Sequence, residues 1–243
     1  TVVNEAIAHI VARGIGDLVI APTALFPVHD SLVPLIESGA IARVEGSMNG
    51  AVGAACTRGA MRGVSVLRSH GGRGRAIEAG DLPIDLAIIA APCADPFGNA
   101  NGIHGRSACG PLTYPVPDSL YARQVLVVTD GLVPFPCSPW SIQGGRVDQV
   151  LVVESIGDPS RIASGTTRLT RSPTQLLIAD LAAAFAEATG VLHEGFSFQA
   201  GAGGISLATV ASLGRLMRAR GIKASFAHGG ATGLLVGMLE EGI

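Results

Sequence analysis

The sequence has few charged and few aromatic residues, and both shortages argue against a nucleic-acid ligand. Only 15% of its 243 residues are charged, the formal net charge is -2, and no basic run occurs. The aromatic residues number one Trp, two Tyr and seven Phe. Nucleic-acid sites need a basic surface and often stack bases on aromatic rings. We therefore expect no nucleic-acid partner.

Long apolar runs are also missing. The stretch at residues 84–93 contains Asp85, and the stretch at 18–28 contains two prolines. Neither reaches the ~18 uninterrupted apolar residues that indicate a membrane-spanning helix. We therefore expect a soluble protein without a membrane partner.

Cysteines and common cofactor motifs are scarce. The four cysteines are far apart, form no CxxC pair and come without a secretory signal, so we expect reduced thiols in the cytoplasm: Cys56, Cys93, Cys109 and Cys137. No HExxH or Cys/His cluster suggests a metal. There is no phosphate-binding GxxxxGK[ST], and Ser206 stands where a dinucleotide GxGxxG needs its third glycine. We expect no metal and no permanently bound cofactor.

Apolar residues (48%) and 33 glycines dominate what is present. Short β-branched runs alternate with segments of helical periodicity, which is typical of an α/β protein with a mostly parallel sheet. The predicted strands are residues 17–21, 41–44, 64–67, 84–91, 124–129 and 149–153. Helices are predicted at residues 2–13, 31–39, 50–61 and 174–187.

The most informative stretch is residues 195–208. Residues 196–200 alternate as in a strand, residues 201–204 read Gly-Ala-Gly-Gly, and a helical pattern begins at Ile205. A glycine turn before a helix N-terminus can bind an anion through free backbone N–H groups. A tight turn in which the glycines serve only packing is equally compatible with the pattern.

Three more segments follow predicted strands, at the sheet edge where open α/β folds bind ligands. Residues 69–73 (Ser-His-Gly-Gly-Arg) offer His70 and Arg73 to an anion, or form a turn with a solvated arginine. Residues 95–102 could orient a polar substrate through Asn99 and Asn101, or build a rigid turn. Glu45 could be a nucleophile or a solvated strand end.

The two ends of the chain resemble each other. Residues 4–15 and 208–222 both end in Ala-Arg-Gly-Ile, and each leads into a strand and then a helix. We interpret this as a duplication. It predicts a first domain at residues 1–172 that lacks its first strand, and the start of a second, incomplete domain at residues 173–243. The chain would then be a segment of a longer protein.

Four motifs together resemble one family: residues 69–73, 95–102, 157–168 and 195–204, in this order. The chain resembles the alpha subunits of citrate lyase, which are citrate CoA-transferases, over essentially its whole length. The resemblance implies open, mostly parallel α/β/α sheets of the CoA-transferase type in two similar domains.

The resemblance also implies a reaction. Citrate replaces the acetyl group of a thioester, which yields a citryl thioester and acetate. The thioester belongs to an acyl carrier (gamma) subunit whose prosthetic group derives from dephospho-CoA, and CoA can substitute for it. A lyase (beta) subunit then cleaves the citryl group, and the alpha subunit is expected to form a homo-oligomer. The transfer passes through an acetyl–citryl anhydride and needs no enzyme nucleophile.

Site roles follow from this resemblance as hypotheses. The backbone N–H groups of Gly203 and Gly204 would face the thioester oxygen, and these two residues with His70 form the predicted catalytic set. The predicted citrate-binding set is Ser69, Gly71, Gly72, Arg73, Asn99 and Asn101, with His70 beside it. The predicted thioester- or CoA-binding set is Gln199, Gly201, Ala202, His228 and Gly229.

Three alternatives remain open at this point. A related enzyme acting on citramalate or another carboxylate would share these residues. Glu45 could carry the acyl group covalently, as a glutamate does in other CoA-transferases. The chain could also be a non-catalytic ligand-sensing module, because one fold can host unrelated functions.

Overall fold

A computed structural model describes residues 2–161, 168–201, 203–230 and 232–243. The chain divides into two compact units, Thr1–Ile162 and Ala163–Ile243. The boundary predicted between residues 172 and 173 separates the two copies of the duplication, whereas these two units are defined by their internal contacts. That boundary therefore stays a prediction.

The first unit begins with a helix and a four-stranded parallel sheet. Its elements are α1 (Val2–Ala12), β1 (Leu18–Ile20), β2 (Ala24–Leu25), a 3-10 helix (Pro27–Leu32), α2 (Val33–Glu37), β3 (Ile41–Met48), α3 (Gly50–Thr57) and β4 (Val66–Leu67). β3 pairs in parallel with β1, β2 and β4. Helix residues Ile7, Leu32 and Ile36 pack against strand residues Ile41 and Val44 to form its core.

Two boundaries in this part of the first unit differ most from the sequence-based prediction. The predicted strand at 41–44 continues to Met48, so Glu45 lies inside β3 and not after it. A polar residue at position 45 argues for a strand end, but arginine side chains neutralise this carboxylate, as described below. The helix predicted at 50–61 ends at Thr57, since Gly59 has a positive φ of 77°.

The second sheet of the first unit is also parallel. The elements that follow β4 are α4 (His70–Glu78), β5 (Leu86–Ala91), β6 (Cys93–Ala94), β7 (Ala100–Asn101), α5 (Pro115–Tyr121), β8 (Gln124–Thr129) and β9 (Gln149–Val152). The strand order is β5-β8-β9, and β6 pairs antiparallel with β7 to form a small hairpin. Ile89, Val125, Val127 and Ile142 form the buried core of this sheet.

The described residues of the second unit form two parallel strands and three helices. They are α6 (Pro173–Ala188), β10 (Ser197–Ala200), α7 (Gly204–Arg220), β11 (Phe226–Gly229) and α8 (Gly233–Glu240). Met217 of α7 is fully buried and packs with Ala183 and Met238. α7 ends at Arg220, and the φ of 65° at Gly221, which follows it, is the left-handed conformation of a helix stop.

Every strand pair among the described residues is parallel except the β6–β7 hairpin and one isolated bridge, Ala100 with Ile142. The open, mostly parallel α/β fold that the alternation of strands and helices predicts is therefore confirmed. The helix–strand–helix order expected of both copies is present, as α1-β1-α2 with β2 inserted and as α7-β11-α8.

Candidate active site

The motif at residues 69–73 is the start of a helix. β4 ends at Leu67, and Ser69 caps α4 by accepting a hydrogen bond at its Oγ from the Gly72 N–H at 3.1 Å. A Cβ placed on Gly71 would meet no atom within 4 Å, so the first turn is open on that side. The turn or loop expected here is thus replaced by a helix N-terminus, which carries partial positive charge.

His70, the first residue of α4, is exposed. Its ring lies against that of Tyr114, with 4.8 Å between the ring centroids and a 45° tilt. This contact orients the imidazole without enclosing it. The exposed imidazole therefore lies at the helix N-terminus.

Arg73 is held inside the first unit. Its guanidinium donates to both carboxylate oxygens of Asp118, at 2.5 and 2.9 Å, and to the Ala21 carbonyl oxygen at 2.6 and 2.9 Å. Arg73 and Asp118 are 6% and 8% exposed. The pair links α4 to α5 and to the segment after β1. The predicted direct contact of Arg73 with a substrate carboxylate stays a prediction, and it would require this ion pair to open.

Glu45 is buried within β3 and bound by two arginines. Arg43 contacts one carboxylate oxygen at 3.0 Å, and Arg68 donates to the other at 2.7 and 3.0 Å. Both oxygens are occupied, which weakens the case for Glu45 as a free nucleophile. The pairing holds Arg68, the residue directly before the Ser69 cap, beside the N-terminus of α4.

Asp95 organises the turn between β6 and β7. It is fully buried and accepts four hydrogen bonds, from the Phe97, Asn99 and Cys137 backbone N–H groups and from the Asn99 side chain, at 2.8–3.2 Å. Burial alone raises the pKa of Asp95. The donors, led by the Cys137 N–H, outweigh it and hold the pKa below its ordinary value of 3.8.

The two asparagines of this motif make internal contacts. Asn99 accepts from the Gly144 N–H at 2.9 Å and donates to Asp95. Asn101 donates to the Pro139 carbonyl oxygen at 2.9 Å and accepts from the N–H groups of the two residues after Gly102. These contacts form the rigid turn that the sequence analysis gave as the alternative to substrate binding. The proposed substrate contacts of Asn99 and Asn101 stay predictions.

In the second unit, β10 leads through the glycine segment into α7. Gly203 occupies the N-cap position in an extended conformation, and no side chain caps the helix there. A Cβ on Gly203 would meet nothing within 4 Å, whereas one on Gly204 would lie 3.1 Å from the Arg168 carbonyl oxygen. The N-terminus of α7 is therefore open at Gly203. Ala202 lies outside the described residues.

β11 lies beside β10, as the doubly wound pattern predicts. Gln199 is opposite His228, and Ala200 is opposite Gly229. A Cβ on Gly229 would lie 2.2 Å from the Ala200 carbonyl oxygen, and its φ is +116°, so only glycine fits. Gln199 and His228 are both exposed at this strand end. A Cβ on Gly201 would meet the Ser206 hydroxyl at 2.8 Å.

Among the described residues, no group of three or more His, Cys, Asp or Glu side chains is placed to hold a metal ion. No helix in the described part of the chain is long and apolar enough to cross a membrane.

The family described as "Citrate lyase, alpha subunit (CitF)" matches residues 1–243. The chain belongs to the citrate lyase alpha subunit family. It is 41% identical over 243 residues to the citrate lyase alpha chain of Klebsiella pneumoniae, a match that covers 100% of this chain and 48% of the relative. The chain thus spans about half the length of the curated relatives that it matches.

One solved structure agrees with this family, and a more distant one shares only the fold. A crystal structure described as the alpha subunit of citrate lyase in complex with citrate, from Streptococcus mutans, is 45% identical with a TM-score of 0.92. The alignment covers 100% of this chain and 48% of that one. An acyl-CoA transferase from Escherichia coli O157:H7 shares the fold, with a TM-score of 0.57 at 14% identity over 94% of this chain and 59% of that one.

The sequence did not reveal the ion pairs that support the α4 motif. Asp118 is 45 positions from Arg73, and Arg68 is 23 positions from Glu45. No local spacing links such pairs. The remaining signal is a single acidic residue within a helix or strand, and it is too common to identify a partner.

Proposed function

We propose that the full-length protein transfers acyl groups between a thioester and a carboxylate. Citrate would replace acetate on the thioester, giving a citryl thioester and free acetate. The observation that carries this proposal is membership of the citrate lyase alpha subunit family along the whole chain. The description of the Streptococcus mutans relative as a complex with citrate supports the choice of carboxylate.

The proposed route balances without an enzyme nucleophile. A citrate carboxylate oxygen attacks the acetyl carbonyl carbon, and the C–S bond breaks. The thiolate departs, and the product of this step is an acetyl–citryl anhydride. The thiolate then attacks the citryl carbonyl carbon and expels acetate. Each step develops negative charge on a carbonyl oxygen, so the protein must supply hydrogen-bond donors and hold the carboxylate in position.

In the second unit, the N-terminus of α7 is suited to a developing oxyanion. The Gly203 and Gly204 N–H groups belong to the uncapped first turn of a 17-residue helix. Such groups have no partner within the helix and point along its positive dipole end. Gly203 leaves room for a substrate to approach the backbone. We assign the thioester carbonyl oxygen to these donors.

In the first unit, the N-terminus of α4 is suited to a carboxylate. Ser69 fixes the first turn, Gly71 is open, and His70 is accessible beside it. Arg68, positioned by Glu45, adds a positive charge directly before the cap. In this assignment Arg73 is a positioning residue that holds α4 through Asp118, and His70 donates a hydrogen bond to a substrate oxygen.

The thiol of the reaction would belong to a substrate. We propose that it is carried by CoA or by a dephospho-CoA-derived group on an acyl carrier subunit, and that a lyase subunit consumes the citryl thioester. Gln199 and His228, which face solvent at the ends of β10 and β11, are the candidate contacts for this carrier group.

The test is acyl exchange by the full-length protein. Acetyl-CoA and labelled citrate are incubated with and without hydroxylamine or borohydride, with citramalate as a parallel substrate. We expect labelled citryl-CoA whose formation neither reagent inhibits. Label trapped on Glu45 would assign the protein to the covalent class of CoA-transferases. Failure to exchange with any carboxylate would favour the ligand-sensing alternative.

Gly203→Val tests the α7 site directly. The new side chain fills the open space before the helix N-terminus and blocks the approach of a substrate to its N–H groups. We expect kcat/KM to fall about 100-fold, an effect comparable in size to the loss of an oxyanion donor. Gly16→Val is the matched control, because Gly16 also has an open Cβ position and a conformation that other residues adopt. Steady-state kinetics and thermal unfolding of both variants are compared. Equal activity in the two variants would remove α7 from the mechanism.

A further inference from the structure

Two of the four cysteines lie in contact in the interior of the first unit. The sulfur atoms of Cys93 and Cys137 are 3.4 Å apart, and each residue is only 3% exposed. The two positions are 44 residues apart along the chain, so no local motif joins them. The contact is therefore a product of the tertiary fold.

The backbone around both residues holds the two sulfur atoms near each other. Cys93 begins β6, and the next residue, Ala94, accepts a hydrogen bond from the Val133 N–H at 2.9 Å. The Cys137 N–H donates to the buried Asp95 carboxylate at 2.8 Å. The segment from residue 133 to 137 is thus tied to the chain around β6 at both of its ends.

A third side chain connects the two thiols. Asn101 is opposite Cys93 in the β6–β7 hairpin, and opposite residues of an antiparallel pair project from the same face. The Asn101 amide nitrogen donates to the Cys137 sulfur at 3.3 Å and to the Pro139 carbonyl oxygen at 2.9 Å. The Cys137 sulfur therefore has two defined neighbours, the amide and the second thiol.

The surroundings of the pair favour the protonated thiols over a free nucleophile. Burial, followed by the hydrogen bond with Cys93, raises the pKa of Cys137 to about 12. The thiolate, which is the reactive form, is therefore rare at pH 7. Burial also keeps bulky thiol reagents away. The arrangement suits a reaction between the two sulfur atoms that a small oxidant starts.

We propose that Cys93 and Cys137 are a modification site, at which a hydroperoxide converts the two thiols into a reversible intramolecular disulfide. An S–S bond is about 2.05 Å long, so the sulfur atoms approach each other by about 1.4 Å in this step. Rotation of the two side chains and a small shift of the segment at residues 133–137 supply this movement. The inference does not depend on the proposed enzymatic activity.

The reaction balances with the hydroperoxide as the only co-reactant. One cysteine sulfur attacks a peroxide oxygen and the O–O bond breaks, which gives a sulfenic acid and, from hydrogen peroxide, one water. The second sulfur then attacks the sulfenic sulfur, the S–O bond breaks, and a second water leaves. The thiols lose two electrons and the peroxide gains two. Both thiol protons end in the water molecules.

The disulfide would fasten β6 to the segment that carries the exposed rings of Phe135 and Trp140. It would also close a long loop of the unfolded chain, which lowers the entropy gained on unfolding. We therefore expect the oxidised protein to melt about 5 °C above the reduced protein.

Peptide mass spectrometry of the full-length protein tests the proposal. The folded protein is treated with hydrogen peroxide and then unfolded, and its free thiols are alkylated before digestion. We expect a cross-linked peptide pair with Cys93 and Cys137, lighter by two hydrogen atoms than the two thiol peptides and separated by dithiothreitol. Cys109, which is exposed, is the internal control for contact with the oxidant. Full alkylation of Cys93 and Cys137 in a sample whose Cys109 is oxidised would overturn the proposal.

Two variants and a melting measurement complete the test. In Cys137→Ala the second thiol is missing, so Cys93 should pass to the sulfinic acid without a cross-link, and peroxide should not raise the melting temperature. Cys56→Ala, at a half-buried thiol elsewhere, is the matched control and should leave the cross-link unchanged. Dithiothreitol should reverse the shift in the wild type. A cross-link that leaves the melting temperature unchanged or lower would contradict the fastening of the segment.

Discussion

Arg73→Ala is expected to lower the free energy of unfolding by about 3–5 kcal/mol, the usual cost of removing one partner of a buried ion pair. Asp118 would be left as an uncompensated buried carboxylate, and the Ala21 carbonyl oxygen would lose its donor. Denaturant unfolding of the full-length variant measures this. Arg123→Ala is the control, because Arg123 is 81% exposed and pairs with Asp85 at 3.4 Å. Its expected cost is below about 1 kcal/mol.

Kinetics of the same variants separate positioning from substrate contact. Whether Arg73 holds α4 in position or contacts citrate directly, Arg73→Ala should raise the KM for citrate more than the KM for acetyl-CoA. The double variant Arg73→Met with Asp118→Leu replaces the pair by apolar residues, which is often neutral for stability. If the double variant recovers both stability and KM, Arg73 acts by holding α4. A KM that stays raised in a stable double variant would mean that Arg73 touches citrate.

Asp95→Asn is expected to destabilise the protein by about 3–5 kcal/mol at pH 7. The substitution keeps the shape but places an NH2 group against donors that now bond the carboxylate, and hydrogen bonds to a charged group contribute ~1.5–3 kcal/mol each. Asp95 accepts four such bonds while fully buried. Asp85→Asn, at an 84% exposed side chain, is the matched control and should change stability by less than about 1 kcal/mol.

The pH dependence of the Asp95 effect has a defined sign. The folded-state pKa lies below the ordinary value of 3.8, so ionised Asp95 stabilises the folded state above that value. This contribution is lost as the pH falls through the folded-state pKa. Unfolding measured at pH 7 and at successively lower pH should show the difference between wild type and Asp95→Asn shrinking below about pH 4. A difference that grows towards acid would contradict the ionised network.

The fold class and the family could be predicted from the sequence because both depend on local order. Alternating β-branched runs and helical periods identify a parallel α/β protein, since strand and helix periods differ. The glycine segment before α7 was also recognisable, because a period-2 strand, glycines and a helical pattern follow one another within 14 residues. The order of four short motifs along the chain then led to the family.

Local pattern could not predict which charged groups are buried together. Arg73 looks like an anion-binding side chain at a strand end, but folding places Asp118, 45 residues away, against it. Glu45 looks like a strand end, but Arg43 and Arg68 neutralise it inside β3. The observed strand lengths differ from the predicted ones for the same reason. The pairing partners of a strand, and not its local periodicity, decide where it ends.

By itself, then, the sequence determined the alternation of elements, the helix that begins beyond Gly203 and the family to which the chain belongs. Only the tertiary structure decided that residues 70–73 form the first turn of a capped helix, that Arg73 is internal, and that Cys93 and Cys137 lie in contact. The reason is the distance along the chain over which each kind of interaction acts. Periodicity and turn residues act over a few positions, whereas ion pairs and strand neighbours join residues far apart along the chain.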